Sequence, residues 1–343
     1  MTAEMVGERR DAMRVLVTGG AGYIGSHAVR ALLRAGHEAV VVDNLSRGHR
    51  AAVPEGVRLA ELDVRSTDAL SDVLLSERID CVMHFAALTY VGESVSDPLR
   101  YYDNNSGGTL SVLRAMDRAR VRRLVFSSTC ATYGEPERMP IHEEMLQQPI
   151  NPYGWSKLMS ERMLRDYGAA QPEFRAAALR YFNVAGCARD GTAGEDHDPE
   201  THLIPVILQA ALGIRERVTV FGDDYATPDG TCVRDYIHVE DLVAAHVRVM
   251  QVLEPGDFRY YNLGIGRGYS VKQIIDAARN VIGQPFEVVQ GQRRAGDPPE
   301  LYAVADKIER ELGWRAEMTD IEAVIDSAWR WFREHPRGYA SES

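Results

Sequence analysis

The sequence predicts an α/β fold: a doubly wound parallel sheet with a smaller mixed α/β region C-terminal to it. Short, almost wholly apolar runs alternate with amphipathic segments through the first half of the chain. That is how strands read when crossover helices bury them on both faces. A glycine-rich turn separates the first apolar run from the first amphipathic segment. At 343 residues and 45% hydrophobic content, the chain can fill one large core or two interlocked ones.

The elements follow in order. Arg14–Thr18 reads as a strand, Tyr23–Ala35 as a helix and Ala39–Asp43 as a second strand. Val57–Glu61 is a third strand, Thr67–Glu77 a helix and Asp80–Ala86 a fourth strand. Leu99–Ala119 is a long helix, followed by the strand Arg123–Ser127. The loop Thr129–Ile150 ends in Asn151-Pro152, an N-cap and first-turn pair that starts a helix running from Pro152 to Tyr167. Strand Ala176–Phe182, an irregular stretch Gly186–Thr201, helix Leu203–Leu212 and strand Val218–Phe221 come next. The remainder gives helix Val239–Leu253, strand Arg259–Leu263, helix Val271–Ile282 and a last helix over Ile321–Phe332. The expected division is a disordered extension at 1–12, a Rossmann-type dinucleotide-binding domain at 13–182 and a substrate domain at 183–343. Segments of roughly 233–263 would return to the first domain.

Composition narrows the function. A formal net charge of −11 argues against a general nucleic-acid binder, which needs a basic face, but permits a small phosphorylated substrate. The four cysteines (Cys81, Cys130, Cys187, Cys232) form no C-x-x-C pair. Neither a disulfide framework nor a metal site is expected, and a reducing cytoplasm is. Met1–Ala12 lacks the apolar core of a signal peptide, and no apolar run approaches the roughly 20 residues of a membrane span.

Gly19, Gly22 and Gly25 give the spacing G-x-x-G-x-x-G across the first strand–helix turn, with Tyr23 and Ile24 opening the helix. Missing side chains let backbone N–H groups and the helix N-terminus approach a pyrophosphate. Taken alone, such a turn often only joins two elements. Its position, and Asp43 at the end of the second strand, make it a dinucleotide site. A carboxylate there accepts from both adenosine ribose hydroxyls and repels a 2′-phosphate, so NAD is favoured over NADP despite the nearby Arg47. Asn44 adjoins it. Asp63 and Val64 end the third strand, where adenine would lie, although Asp63 by itself is equally a solvated strand-end carboxylate. Phe85, Ala86 and Ala87 end the fourth, where small residues let the cofactor pass.

Tyr153 and Lys157 are four apart on the helix from Pro152, so they project from one face. Only three of the 39 basic residues are lysine (Lys157, Lys272, Lys307), so a lysine here marks a need for a compact ammonium. A phenol titrates near about 10 and must ionise lower to remove a proton from a sugar hydroxyl. An ammonium about 6 Å away supplies about 2.8 kcal/mol at an effective dielectric of about 20, or about two pKa units. Tyr153 is then a candidate general base. Ser127-Ser128-Thr129 ends the fifth strand, and Thr129 is placed to orient the same substrate oxygen.

Several of these segments together resemble the UDP-glucose 4-epimerase family of extended short-chain dehydrogenases. They are Gly19–Gly25, Asp43-Asn44-Leu45, Val91–Val95, Tyr101–Asn105, Ser127–Gly134, Tyr153–Lys157, Arg180–Asn183, Val233–Val239 (VRDYIHV) and Arg293–Asp297. The likeness runs from about Met13 to the last helix. It implies that Asn104, Thr129, Tyr153, Lys157 and Phe182 touch cofactor or reacting sugar. Asn183, Arg234, Arg294 and Asp297 would hold the UDP, with His202, Leu203, Phe221 and Leu301 in the substrate pocket. It also implies a homodimer built on the helices Leu99–Ala119 and Pro152–Tyr167. The sequence departs from the common bacterial pattern at Thr89 (often lysine), Thr129 (often serine) and His202 (often asparagine). Leu301 is of intermediate bulk where an aromatic would exclude N-acetyl groups, so UDP-GlcNAc/UDP-GalNAc or UDP-arabinose epimerisation stays open. A 4,6-dehydratase would carry an Asp-Glu pair after the threonine, where this chain has Cys130-Ala131. A non-catalytic NAD-sensing module would not need the Tyr153/Lys157 pair.

Overall fold

In a computed structural model describing residues 12–293 and 298–339, the apolar runs form one seven-stranded sheet. Strands β1 (Arg14–Thr18) and β2 (Glu38–Asp43) flank helix α1 (Tyr23–Arg34), and β3 (Arg58–Glu61) precedes α2 (Thr67–Ser76). β4 (Cys81–His84), α3 (Val91–Ser96), α4 (Pro98–Tyr101), α5 (Gly108–Ala119) and β5 (Arg123–Ser127) follow. After α6 (Pro152–Ala170), β6 (Arg175–Tyr181) completes the first six strands.

The remaining elements are β7 (Asn183–Ala185), α7 (Leu203–Ala211), β8 (Val218–Phe221), β9 (Val233–Arg234), β10 (Tyr236–His238), α8 (Val239–Val252) and β11 (Phe258–Leu263). They continue with β12 (Tyr269–Ser270), α9 (Val271–Ile282), β13 (Val288–Gly291), β14 (Glu300–Leu301), α10 (Asp306–Leu312) and α11 (Ile321–Glu334).

The main sheet runs β11-β6-β5-β4-β1-β2-β3, with every pairing parallel. Strand order reverses between β1 and β4, which opens a crevice at the carboxyl ends of the strands. One face is closed by α1 and α8 over Val15, Val17, Val41, Met83 and Leu242. The other is closed by α2, α5 and α6 over Leu16, Val42, Val82, Leu124 and Leu164. A third core, holding Ile204, Val220, Ile274, Ile325 and Trp331, joins α7, α9 and α11.

Two details differ from the sequence reading. The helix expected over Leu99–Ala119 is broken by a π-helical turn at Tyr102–Gly107 between α4 and α5. Such a turn is set by hydrogen bonds one residue longer than the α pattern, which hydrophobic periodicity does not register. Of the span 233–263, β11 pairs with β6 and α8 covers the sheet. β9 and β10 pair instead in two small sheets, with β12 and β14 and with β7. The extension at 1–12 lies outside the described residues except for its last position.

Candidate dinucleotide and catalytic site

The glycine turn follows β1 directly. Gly19 has φ +71°, and a Cβ there would meet Ala86 N at 2.6 Å; at Gly25 it would meet Gly19 O at 2.0 Å. Both therefore have to be glycine to bring the turn, the β4 end and α1 together. Gly22 differs. A Cβ there would have only Gly19 O within 4 Å, at 3.4 Å, so contacts inside the protein do not require glycine. Space is therefore left beside it. Gly22 also caps α1 without a side-chain hydrogen bond, and no acidic residue lies in the first turn. The positive end of that helix stays available to an anion. These features fit a dinucleotide pyrophosphate.

Asp43 is buried beside the turn, its oxygens accepting from Ala21 N (3.0 Å) and Leu45 N (2.8 Å). Burial raises its pKa, with those two amides opposing. Arg47 does not compete for this position. Its guanidinium donates to Asp198 O, lies over the Tyr90 ring at 4.9 Å and faces Glu93 at 3.7 Å. Asp63 is not merely solvated: it accepts from Arg65 and from Asn44 Nδ2, and hydrogen bonding to Arg65 holds its pKa at about 2. Val64 packs in the core, while the Phe85 ring lies 4.9 Å from that of His246, tilted by 35°. Ala86 and Ala87 are half-buried at the β4 end.

Asn104 lies on the π turn and donates to Asn105 Oδ1. Asn105, which sequence reading passed over, accepts from Leu88 N (2.8 Å) and donates to Leu88 O and Ser156 Oγ (both 3.0 Å). It ties the β4 end, the π turn and α6 into one unit.

α6 begins where expected, with Asn151 Oδ1 accepting from Gly154 N at 2.9 Å. Lys157 is 3% exposed; its ammonium donates to Ser127 O at 2.8 Å and lies 4.9 Å over the Phe126 ring. Burial lowers its pKa to about 7. Burial raises the pKa of Tyr153, against the hydrogen bond from Thr129. Thr129 is thus among the groups acting on the Tyr153 phenol. The Lys157 ammonium is turned to the end of β5. In the protein alone, burial disfavours both ions.

Behind β5, Glu161 and Arg180 form a buried bidentate pair (2.6 and 3.0 Å), and Ser128 Oγ donates to Glu161 Oε1 at 2.5 Å.

The expected substrate residues fall on the other side of the crevice. Phe182 packs with Tyr133, Ile141 and Ala303, and Leu301 lies against that cluster. Asn183 N donates to Asp235 O, placing β7 beside β10. Arg234 and Leu301 are register partners in β9 and β14, and Arg234 Nη1 donates to Val233 O at 2.8 Å. Phe221 ends β8 and Leu203 starts α7. His202 points Nδ1 at Glu195 and Glu200 (2.9 and 3.1 Å), so that nitrogen is engaged within its own segment. Arg294 and Asp297 lie outside the described residues. Sequence reading also passed over the set Glu195, His197, Glu200 and His202; its signal is the local pattern E-x-H-x-x-E-x-H.

The strand order, glycine turn and strand-end carboxylate define a dinucleotide-binding protein of the doubly wound α/β class. More particularly, the chain belongs to the NAD dependent epimerase/dehydratase family, whose model matches residues 15–264. It is 48% identical over 332 residues to a UDP-glucose 4-epimerase of Lacticaseibacillus casei, covering 96% of this chain and 100% of that one. Its fold matches a crystal structure of UDP-glucose 4-epimerase from Brucella ovis in complex with NAD. The TM-score is 0.89 and the identity 47%, over 94% of this chain and 98% of that one. It also matches the enzyme from Bifidobacterium longum in complex with NAD+ and UDP, with TM-score 0.91 and 41% identity over 95% and 99%.

Proposed function

We propose that this protein inverts C4 of the sugar in UDP-glucose, interconverting it with UDP-galactose through a 4-keto sugar. NAD is retained throughout the cycle. Near-full-length likeness to 4-epimerases, in a chain that places Tyr153 and Thr129 at the carboxyl edge of the sheet, carries this reading. When bound, NAD supplies the acceptor for the C4 hydride, its source on return to the opposite face, and a positive ring charge. The glycine-turn amides hold the pyrophosphate and Asp43 the adenosine ribose. Lys157 keeps N–H groups for the second ribose, and Asn104 and Phe182 flank the reacting rings. Tyr153 Oη takes the C4-hydroxyl proton and gives it back on the other face, while Thr129 orients that hydroxyl. Arg234, with Arg294, offsets the diphosphate charge, and Asn183 and Asp297 hold the uridine end.

Residues 13–182 with β11 and α8 form the cofactor half, and most of 183–343 the substrate half. A homodimer is supported by exposed apolar side chains at Val95, Leu99, Trp155 and Met159 on α3, α4 and α6. A reducing, cytoplasmic location is supported by four cysteines that all stay free. Among the described residues no helix is long and apolar enough to cross a membrane.

The test is incubation with UDP-galactose without added reductant, scoring the C4 configuration of the product. Conversion by the wild type, falling at least about 100-fold in Tyr153→Phe, is expected. No conversion by the wild type, or full activity in the variant, overturns the reading.

A further inference from the structure

Between β7 and α7 the chain passes through Glu195, His197, Glu200 and His202, whose donor atoms all lie within 4.8 Å of one another. His197 Nδ1 is 3.3 Å from Glu195 Oε1 and 3.5 Å from Glu200 Oε2, and His202 Nδ1 is 2.9 and 3.1 Å from the two carboxylates. A tetrahedral ion with bonds of about 2.0–2.1 Å has ligand–ligand edges of about 3.3–3.4 Å. The four side chains are therefore spaced as a first coordination sphere spaces its members.

A second observation is independent of spacing. Glu195 is 3% exposed, yet its Oε1 makes no hydrogen bond, and neither does His197 Nδ1. The two atoms lie close without being aligned on each other, as donors do when they converge on a common point. A buried carboxylate oxygen without an aligned hydrogen bond is costly, and a cation removes that cost. Two carboxylates and two neutral imidazoles balance a dication. A cavity lined by Glu195, His197, Glu200, Trp331 and His335 reaches the cluster and provides an entry path.

We propose that Glu195, His197, Glu200 and His202 bind one borderline divalent cation of the zinc class, as a clip on the segment that flanks the cofactor turn. Nitrogen and oxygen donors in fourfold array suit such an ion better than the hard, six- to eight-coordinate cations. The clip bears on the glycine turn through Tyr23, whose ring meets His197 edge-on at 6.1 Å and whose hydroxyl donates to Gly186 O. Arg47 and Tyr90 hold the intervening carbonyls of Asp198 and Pro199.

The experiment uses full-length protein without a histidine tag, stripped by chelator and titrated with zinc or cobalt in the absence of sugar nucleotide. One zinc per chain after gel filtration is expected, together with the intense visible absorption of four-coordinate cobalt. Glu195→Gln and His197→Ala, each checked for native circular dichroism, should weaken zinc at least about tenfold, whereas the exposed Glu216→Gln should not. Substoichiometric zinc in the wild type, or unchanged affinity in both ligand variants, overturns the proposal. If neither variant folds, the cobalt spectrum of the wild type decides, and the weak absorption of six-coordination or no absorption at all counts against it.

Discussion

Lys157 and Tyr153 are four residues apart on one helix, but burial drives their pKa values apart: the ammonium falls and the phenol rises. Lys157, at about 7 against an ordinary 10.5, binds fewer protons folded than unfolded between those values. Stability therefore rises with pH across that window, and the full cost of burying the ammonium is present below it. Cofactor-free Lys157→Met should consequently gain more melting temperature over the wild type near about pH 6 than near about pH 10, by scanning calorimetry. An equal gain at both would show that folding leaves the lysine's pKa unshifted. Thr129→Ala removes the one hydrogen bond that lowers the Tyr153 pKa. Its kcat should fall about tenfold or more, with the acidic limb of the pH–rate profile moved upward.

At the scale of elements, α6 is where folding and chemistry share residues. Asn151→Ala deletes the cap on Gly154 N, at a cost of about 1 kcal/mol in urea unfolding. Because Tyr153 sits in the uncapped turn, kcat should suffer more than KM. Further along the helix, Glu161→Ala strands Arg180 in the interior without its carboxylate. A loss of about 3–5 kcal/mol is expected, set by the charge left behind more than by the bond itself. Ser128 also loses its partner, so the end of β5, where Thr129 projects, should loosen with it.

For the whole molecule, the apolar surface of α3, α4 and α6 bears on assembly. Leu99 is 78% exposed, and Trp155 and Met159 lie on the exposed side of α6. Leu99→Asp combined with Trp155→Glu should convert a dimer to a monomer in light scattering while leaving NAD bound. A wild-type monomer would remove the dimer from the proposal. Asn105 ties the π turn to Leu88 and to Ser156 on α6, so loss of the dimer should reduce activity less than loss of Asn105.

Much of the architecture was legible in the chain itself. Apolar runs such as Arg14–Thr18 and Arg123–Ser127 are buried on both faces and announce themselves by composition. The Tyr153/Lys157 pair and the glycine turn are local spacings that any helix or turn at those positions preserves. Two-residue strands such as β9, β12 and β14 are too short to carry a period, so the small sheets that hold Arg234 and Leu301 could not be read in advance. The Glu195–His202 set lies in a stretch with no hydrophobic period, and a search for paired cysteines passes it by. Residue types, their spacing and the sheet they build were thus determined by the sequence alone. Which way Lys157 turns, how burial shifts its proton and which four donors converge were decided only by the tertiary structure. Those depend on the dielectric and on distances between segments remote in the chain, and neither is encoded in local order.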